Sequence, residues 1–340
     1  MVYKWIFKMY FNHLNFELNR RQWCEALLGS GLLGFSHLSS AQSFPSRPVK
    51  LVVPFPPGGS TDVIARMMAL KLAEALKVAV VVENKPGVGS VLGTDAVAKA
   101  APDGYTLLVS ANPAIAPGPL MRSSIPYDAF RDFTHLALLG TFPNGFVVRA
   151  DYPAKSMAEF VAMARARPGV LNYASAGLGS SGFLTGELLK QAAGINMVHV
   201  PYKGSGPAIT DLLGGQLDGM FESLVTATNY VRSGKLRLLS VSGEVRSKNF
   251  PEVPILSEVV PGVVGAAWFG ISAPAKLPAP VALRLQTEIQ AVVNAPDMLM
   301  RLSDMGMTPM PLTGQEFVVF LQAENRKWGL LIRAGKITVE

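Results

Sequence analysis

Short apolar runs alternate along the chain with stretches in which apolar residues recur every three or four positions. Val49–Phe55 is apolar and rich in valine, and it stops at the breaker cluster Pro56-Pro57-Gly58-Gly59. In Thr61–Leu76 the apolar residues Ile64, Met68, Leu72 and Leu76 recur every four residues, with Lys71, Glu74 and Lys77 elsewhere. That spacing predicts an amphipathic helix. Ala79–Glu83 reads as a β-branched strand closed by Asn84-Lys85-Pro86-Gly87. A helix over Gly93–Ala101 and a strand over Tyr105–Ser110 follow. Strand, helix, strand, helix, strand predicts an open, parallel α/β sheet.

A second cycle begins near residue 144. Strands are expected at Gly145–Arg149, Leu171–Ser175, Met197–Pro201, Gly219–Leu224 and Lys235–Ser242. Helices are expected at Met157–Arg167, Phe183–Ala193 and Pro207–Leu213, and Val281–Val339 reads as mostly helical. Two α/β lobes joined by crossover strands account for this order. The expected bounds are 42–143 plus 265–340 for lobe 1 and 144–264 for lobe 2.

Residues 1–41 break the alternation. Asn19-Arg20-Arg21-Gln22-Trp23 precedes the short apolar stretch Ala26–Leu38 and the small residues Ser39-Ser40-Ala41. A charged region, an apolar region and a small-residue site predict a cleaved secretory signal peptide, hence a periplasmic protein. The adjacent arginines suggest a twin-arginine variant. A single membrane anchor is the alternative, though the run falls short of the roughly 20 apolar residues a span needs. Met9 is a second possible start besides Met1.

Composition narrows the function classes. At 49% hydrophobic and 16% charged residues over 340, the chain is too apolar for a disordered protein and long enough for two domains. Its one cysteine, Cys24, excludes an internal disulfide and Cys₄ or Cys₃His zinc sites. No HExxH, GxxxxGK[ST] or GxSxG is present, so metalloprotease, P-loop and hydrolase-elbow chemistry lack their residues. The formal charge of +7 falls to +5 without the four basic and two acidic residues of 1–41. The remaining basic residues are scattered, which argues against nucleic acid and suits an anionic ligand.

Three strand-to-helix turns carry the candidate chemistry. Pro54–Asp62 combines glycines with a helix start, where free N–H groups and the helix dipole favour an anion. A plain capped turn satisfies the same pattern. Ser175–Gly182 offers consecutive N–H donors and the hydroxyls of Ser175, Ser180 and Ser181, a neutral cradle for a carboxylate or oxyanion. Gly177, Gly179 and Gly182 give G-x-G-x-x-G spacing, but the acidic residue a dinucleotide site needs about twenty positions on is absent. In Val200–Pro207, Tyr202 could donate to a ligand and Lys203 could neutralise a carboxylate, or stand in solvent. Glu222 at a strand end is the acidic group placed nearest the cleft, a surface carboxylate being the alternative. His199 reads as a packed histidine, and no partner for His135 is visible. Trp268 and Phe269 line the cleft or belong to the core. No activated nucleophile with base and orienter stands out.

An ordered string of motifs spans residues 45–340. It includes Val53-Pro54-Phe55-Pro56-Pro57-Gly58-Gly59-Ser60-Thr61-Asp62, Glu83-Asn84-Lys85-Pro86-Gly87 and Pro102-Asp103-Gly104-Tyr105. It continues through Gly177-Leu178-Gly179-Ser180, Val200-Pro201-Tyr202-Lys203-Gly204, Asp211–Asp218 and Glu324-Asn325-Arg326-Lys327-Trp328. The string resembles the Bug family, extracytoplasmic solute receptors of tripartite tricarboxylate transporters. The resemblance implies a two-lobed type II periplasmic-binding-protein fold that closes on a small carboxylate in the cleft. It implies that Gly58–Asp62 and Ser175–Ser181 hold the carboxylate, partly through water, and that the partner is a membrane permease.

Two departures bear on the ligand. Gly182-Phe183 stands near where the family usually has His, and Glu222 stands where it commonly has Asp, a longer side chain that contracts the cleft. Ser110–Pro117 is also unusually proline-rich. The expected ligand contacts are Phe55, Gly58, Gly59, Thr61, Asp62, Asn112, Ser175, Gly177, Gly179, Ser180, Ser181, Tyr202 and Glu222. A monomer without catalytic residues, metal or cofactor is expected. A sensor for a membrane kinase and an enzyme acting on a small acid are the rival classes. The enzyme would draw its base from Glu222, Asp62, Lys203 or Tyr202.

Overall fold

A computed structural model describes residues 44–334 and 337, so the expected signal peptide lies outside the described residues. The strands are β1 (Val49–Val53), β2 (Val80–Asn84), β3 (Thr106–Ala111), β4 (Phe133–Arg149), β5 (Asn172–Ser175), β6 (Val198–Pro201), β7 (Gly219–Ser223), β8 (Leu236–Val241), β9 (Ala266–Pro274) and β10 (Thr308–Pro309). The helices used below are α1 (Ser60–Leu76), α2 (Val91–Ala98), α3 (Met157–Ala166), α4 (Ser181–Ala193), α5 (Ser205–Leu213), α6 (Leu224–Arg232), α7 (Ala279–Asn294), α8 (Pro296–Asp304) and α9 (Gln315–Ala334). No helix among the described residues is long and apolar enough to cross a membrane.

The strands run in the order β2-β1-β3-β9-β4-β7-β5-β6, with β8 and β10 also pairing with β4. The expected parallel sheet is corrected to a mixed one. β1 pairs in parallel with β2 and β3, and β5 with β6 and β7. β9 is antiparallel to both β3 and β4, and β4 is antiparallel to β7 and β8. The long strand β4 explains the difference. Its residues Phe133–Pro143 pair with β9, and Asn144–Arg149 pair with β7 and β8. One strand thus belongs to two half-sheets and changes partners between Pro143 and Asn144. After β8 the chain returns to the first half through the segment between Val241 and Ala266, where the Gly265 N–H donates to the Ser242 carbonyl at 2.8 Å.

Both faces of each half-sheet are covered, because successive side chains on a strand point to opposite faces. On β1, Leu51 and Val53 enter one core and Val52 another; on β3, Leu107 and Val109 part from Leu108 in the same way. The second half repeats the pattern. Phe146, Tyr173 and Phe221 pack in one core, and Val147, Ala174 and Met220 in a second. In α1 the four-residue stripe Ile64, Met68, Leu72 and Leu76 is buried against the first of these cores. Removing such a side chain, Leu72→Ala for example, costs about 2–5 kcal/mol through lost transfer energy and a cavity.

Candidate functional site

Turns at the carboxyl ends of β1, β3, β5, β6 and β7 converge on one cavity. That is where open α/β sheets place their crevices. The cavity has a volume of about 60 Å³. From the first half, the β1–α1 turn brings Phe55, Pro56 and Gly59–Thr61, and Asn112 and Pro113 follow β3. Phe142 on β4 and Ala267–Phe269 on β9 close the apolar side. From the second half come Asn144 on β4, Ala176 and Ser180–Gly182 before and within α4, Gly204 and Ser205 at the start of α5, and Glu222 on β7.

Three helix N-termini therefore meet at one place. In α1 the first intrahelical bond runs from the Val63 N–H to the Gly59 carbonyl, leaving the N–H groups of Ser60, Thr61 and Asp62 without a helical partner. In α4 the Ser180 hydroxyl caps the Phe183 N–H at 3.2 Å and its carbonyl accepts from Leu184, which leaves the Ser181 and Gly182 N–H groups. α5 begins at Ser205, and its N-cap residue Gly204 offers no side-chain cap. Free N–H groups at the positive ends of helix dipoles are an anion site.

Two buried amides complete the polar lining. The Asn112 carbonyl oxygen accepts the Trp268 N–H at 3.2 Å, while its Nδ2 is buried with no partner among the described residues. Asn144, at the point where β4 changes partners, accepts from the Ser181 hydroxyl at 3.1 Å and links the two half-sheets to α4. Among the described residues, no lysine, arginine or histidine lines the cavity and its one ionisable side chain is Glu222, 1% exposed. Burial pushes the Glu222 carboxyl up to about 7. Ser205, Thr226 and the Ser223 N–H lie close enough to pull it back in part. None of them makes a well-formed hydrogen bond to either oxygen.

Of the residues singled out in the sequence, Phe55, Gly59, Thr61, Asn112, Ser180, Ser181 and Glu222 line this cavity. Gly58, Asp62, Ser175, Gly177, Gly179 and Tyr202 do not. The Asp62 carboxylate is turned onto its own turn. It accepts from the Gly58 N–H at 3.0 Å, Arg66 Nε at 2.9 Å and Asn84 Nδ2 at 2.9 Å. Burial opposes its charge, but Arg66, the Gly58 N–H and Asn84 outweigh it and hold the carboxyl below its ordinary range. Asn84 also donates to the Phe55 carbonyl at 3.1 Å, so this network shapes the β1–α1 turn.

Ser175 works behind its turn in the same way. Its hydroxyl bonds His199 Nε2 at 2.8 Å and accepts the Gly177 N–H at 3.2 Å. His199 is the packed histidine expected, stacked near Tyr173 and Phe183, and burial pulls it down to about 4, so it is neutral at pH 7. A Cβ on Gly177 would sit 2.5 Å from the Tyr202 carbonyl, so that turn admits only glycine. The Tyr202 hydroxyl donates to Asp211 at 2.6 Å. Lys203 stands exposed outside the cavity. His135, outside the cavity lining, is held by Ser272 and the Ala129 carbonyl, both at 2.9 Å.

Sequence reasoning passed over Asn144, Ser205 and Phe142, and left Trp268 and Phe269 undecided. Pro143-Asn144-Gly145 inside an apolar stretch was the available signal, since proline and a buried amide are rare in a central strand. A larger groove of about 450 Å³ shares Phe142, Ala267 and Trp268 with the cavity. Its cations are exposed, Arg246 is paired with Glu258, and among the described residues no helix start lines it.

Residues 64–337 match the model of the tripartite tricarboxylate transporter family receptor. Protein BugT of Bordetella pertussis is 38% identical over 298 residues, covering 86% of this chain and 91% of that protein. A protein of R. palustris solved with adipate superposes with a TM-score of 0.84 at 32% identity, over 87% of this chain and 99% of that one. MatC of Rhodopseudomonas palustris, solved with bound malate, superposes with a TM-score of 0.79 at 32% identity, over 84% and 98%.

Proposed function

The chain belongs to the tripartite tricarboxylate transporter receptor family, and from that premise we propose that it captures a small carboxylate between two lobes in the periplasm and delivers it to the transporter's membrane permease. The observation that carries this reading is the convergence of three helix N-termini on a cavity that no cationic side chain lines among the described residues. Backbone N–H groups aimed at a carboxylate contribute about 1.5–3 kcal/mol each when the partner is charged. They demand no buried counter-ion, so the ligand can leave again when the lobes part.

Closure follows from where the donors sit. α1 belongs to lobe 1 (42–143 plus 265–340), and α4 and α5 to lobe 2 (144–264). A carboxylate between them bonds both lobes only in the closed arrangement. That differential affinity is what drives closure. The hinge is β4 at Pro143-Asn144 together with the return segment Ser242–Gly265. The adipate and malate held by the two related structures support a ligand of that size. On this reading the receptor is a monomer that leaves its ligand chemically unchanged: of the bases open to an enzyme, Asp62 is held by Gly58, Arg66 and Asn84, Tyr202 is engaged by Asp211 and Lys203 stands outside the cavity, so only Glu222 faces the ligand.

Isothermal titration of the purified protein with four- to six-carbon carboxylates tests this. One-to-one binding, with the acid recovered unchanged and its uptake lost in a strain lacking the protein, is the expected result. Turnover of the bound acid, or uptake unaffected by the deletion, would refute it.

A further inference from the structure

Glu222 sits at the carboxyl end of β7, opposite Gly145 of β4, and is 1% exposed. Neither of its carboxylate oxygens has a hydrogen-bond partner among the described residues. Among the described residues no other charged side chain shares the lining; the groups facing it are the hydroxyls of Ser205 and Thr226 and the Ser223 N–H. Buried polar atoms are normally satisfied, and with no well-formed bond from Ser205, Thr226 or Ser223 the two Glu222 oxygens at the wall of a ligand cavity are open to a donor carried by the ligand.

The cavity therefore presents two kinds of group. The starts of α1, α4 and α5 and the Asn112 amide supply hydrogen-bond donors. Glu222 supplies acceptors. A plain dicarboxylate satisfies the donors but sets a second negative charge, and more acceptors, in the same small space as Glu222. Like charges crowded out of water repel strongly. A carboxylate that also carries an ammonium or hydroxyl group satisfies both kinds, the carboxylate at the helix starts and the donor group at Glu222.

We infer that Glu222 sets ligand specificity, selecting carboxylates that carry a hydrogen-bond-donating amine or hydroxyl over plain carboxylates. The inference rests on the reading that the cavity holds a carboxylate. The elevated Glu222 carboxyl agrees with it, because an acid without a donor is harder to ionise, and a ligand ammonium would lower it again.

The test is titration of the full chain with three acids of equal chain length: a plain dicarboxylate, its hydroxy derivative and its amino derivative. Wild type is expected to prefer at least one donor-bearing acid by about tenfold or more, since a site built for a donor rejects the analogue lacking it. Glu222→Gln should bring the three within about threefold of one another, and Glu222→Asp, which keeps the carboxylate, should retain the preference. Circular dichroism verifies that each variant is folded, and the wild-type comparison of the three acids keeps the test decisive if the glutamine variant is not. A plain dicarboxylate bound as tightly as its derivatives would overturn the inference and leave the carboxylate receptor standing. So would plain-dicarboxylate binding that weakens above pH 7 in wild type but not in Glu222→Gln, because a protonated Glu222 would then be the donor itself. Binding of none of these acids, nor of any other carboxylate, would overturn both readings.

Discussion

Replacing Asp62 by alanine separates a residue that shapes the site from one that touches the ligand. The wild-type carboxylate is 4% exposed and accepts three hydrogen bonds, from Gly58, Arg66 and Asn84. Arg66 is 56% exposed, so its guanidinium returns to water and the ion pair accounts for only about 0.5–1 kcal/mol. The Gly58 N–H and the Asn84 amide lose a charged acceptor, at about 1.5–3 kcal/mol each, partly offset by relief of the buried charge. The net expectation is a loss of about 2–4 kcal/mol.

At roughly 2–4 °C per kcal/mol for a chain of this size, melting falls by about 4–16 °C. Ligand affinity falls as well, because the β1–α1 turn loses its brace. Thermal unfolding and titration on the same preparation are the assay. Asp62 is held below its ordinary value near 3.8, so its contribution is present at neutral pH and fades as pH drops below about 4. The gap between wild type and Asp62→Ala should close at that acid end. An unchanged melting temperature with lost affinity would refute the reasoning and make Asp62 a direct ligand contact.

Other outcomes follow from the same geometry. Glu222 rises from 4.5 to about 7 in the folded chain, so its ionisation costs stability as pH climbs across that interval, roughly 3 kcal/mol in all. Glu222→Gln should flatten the stability profile between pH 4.5 and 7 in ligand-free protein, and an unchanged slope would contradict this. Gly204 adopts φ +135°, and a Cβ there would stand 3.1 Å from Pro56 of the other half, so Gly204→Ala should hinder closure. Small-angle scattering should then detect less compaction on adding ligand than in wild type; equal compaction would count against closure at this contact. Asn144→Ala removes the acceptor for Ser181 and should lower affinity by about tenfold, through a loss near 1.4 kcal/mol. Affinity unchanged within error would show that this bond does not set the α4 terminus.

The elements legible in the sequence were those whose pattern is local. The four-residue stripe of α1 and the Gly- and Ser-rich turns before α1, α4 and α5 announce themselves within a dozen residues. Strand β4 escaped because its first half contains Thr134, His135, Gly140 and Pro143, which blur any period, and only its last residues were read as a strand. β9 and α6 escaped too, the former because its Ala- and Gly-containing run owes its place to pairing with β3 and β4, far away in the chain. The same non-local pairing brings Phe142, Asn144 and Trp268 to the cavity. Asp62, Ser175 and Tyr202 belong to the right turns, but their side chains are engaged by Arg66, His199 and Asp211, which spacing alone does not reveal.

The central claim is that the convergent helix starts hold a negatively charged carboxylate. Thermal unfolding of protein freed of bound solute, with a carboxylate and with its neutral amide compared at equal concentration, tests it most directly. A carboxylate at a hundred times its dissociation constant should stabilise the fold by about 2.7 kcal/mol, a shift of several degrees at roughly 2–4 °C per kcal/mol. The amide should give almost none. Equal shifts from acid and amide, or no shift with any acid in a folded protein, would contradict it.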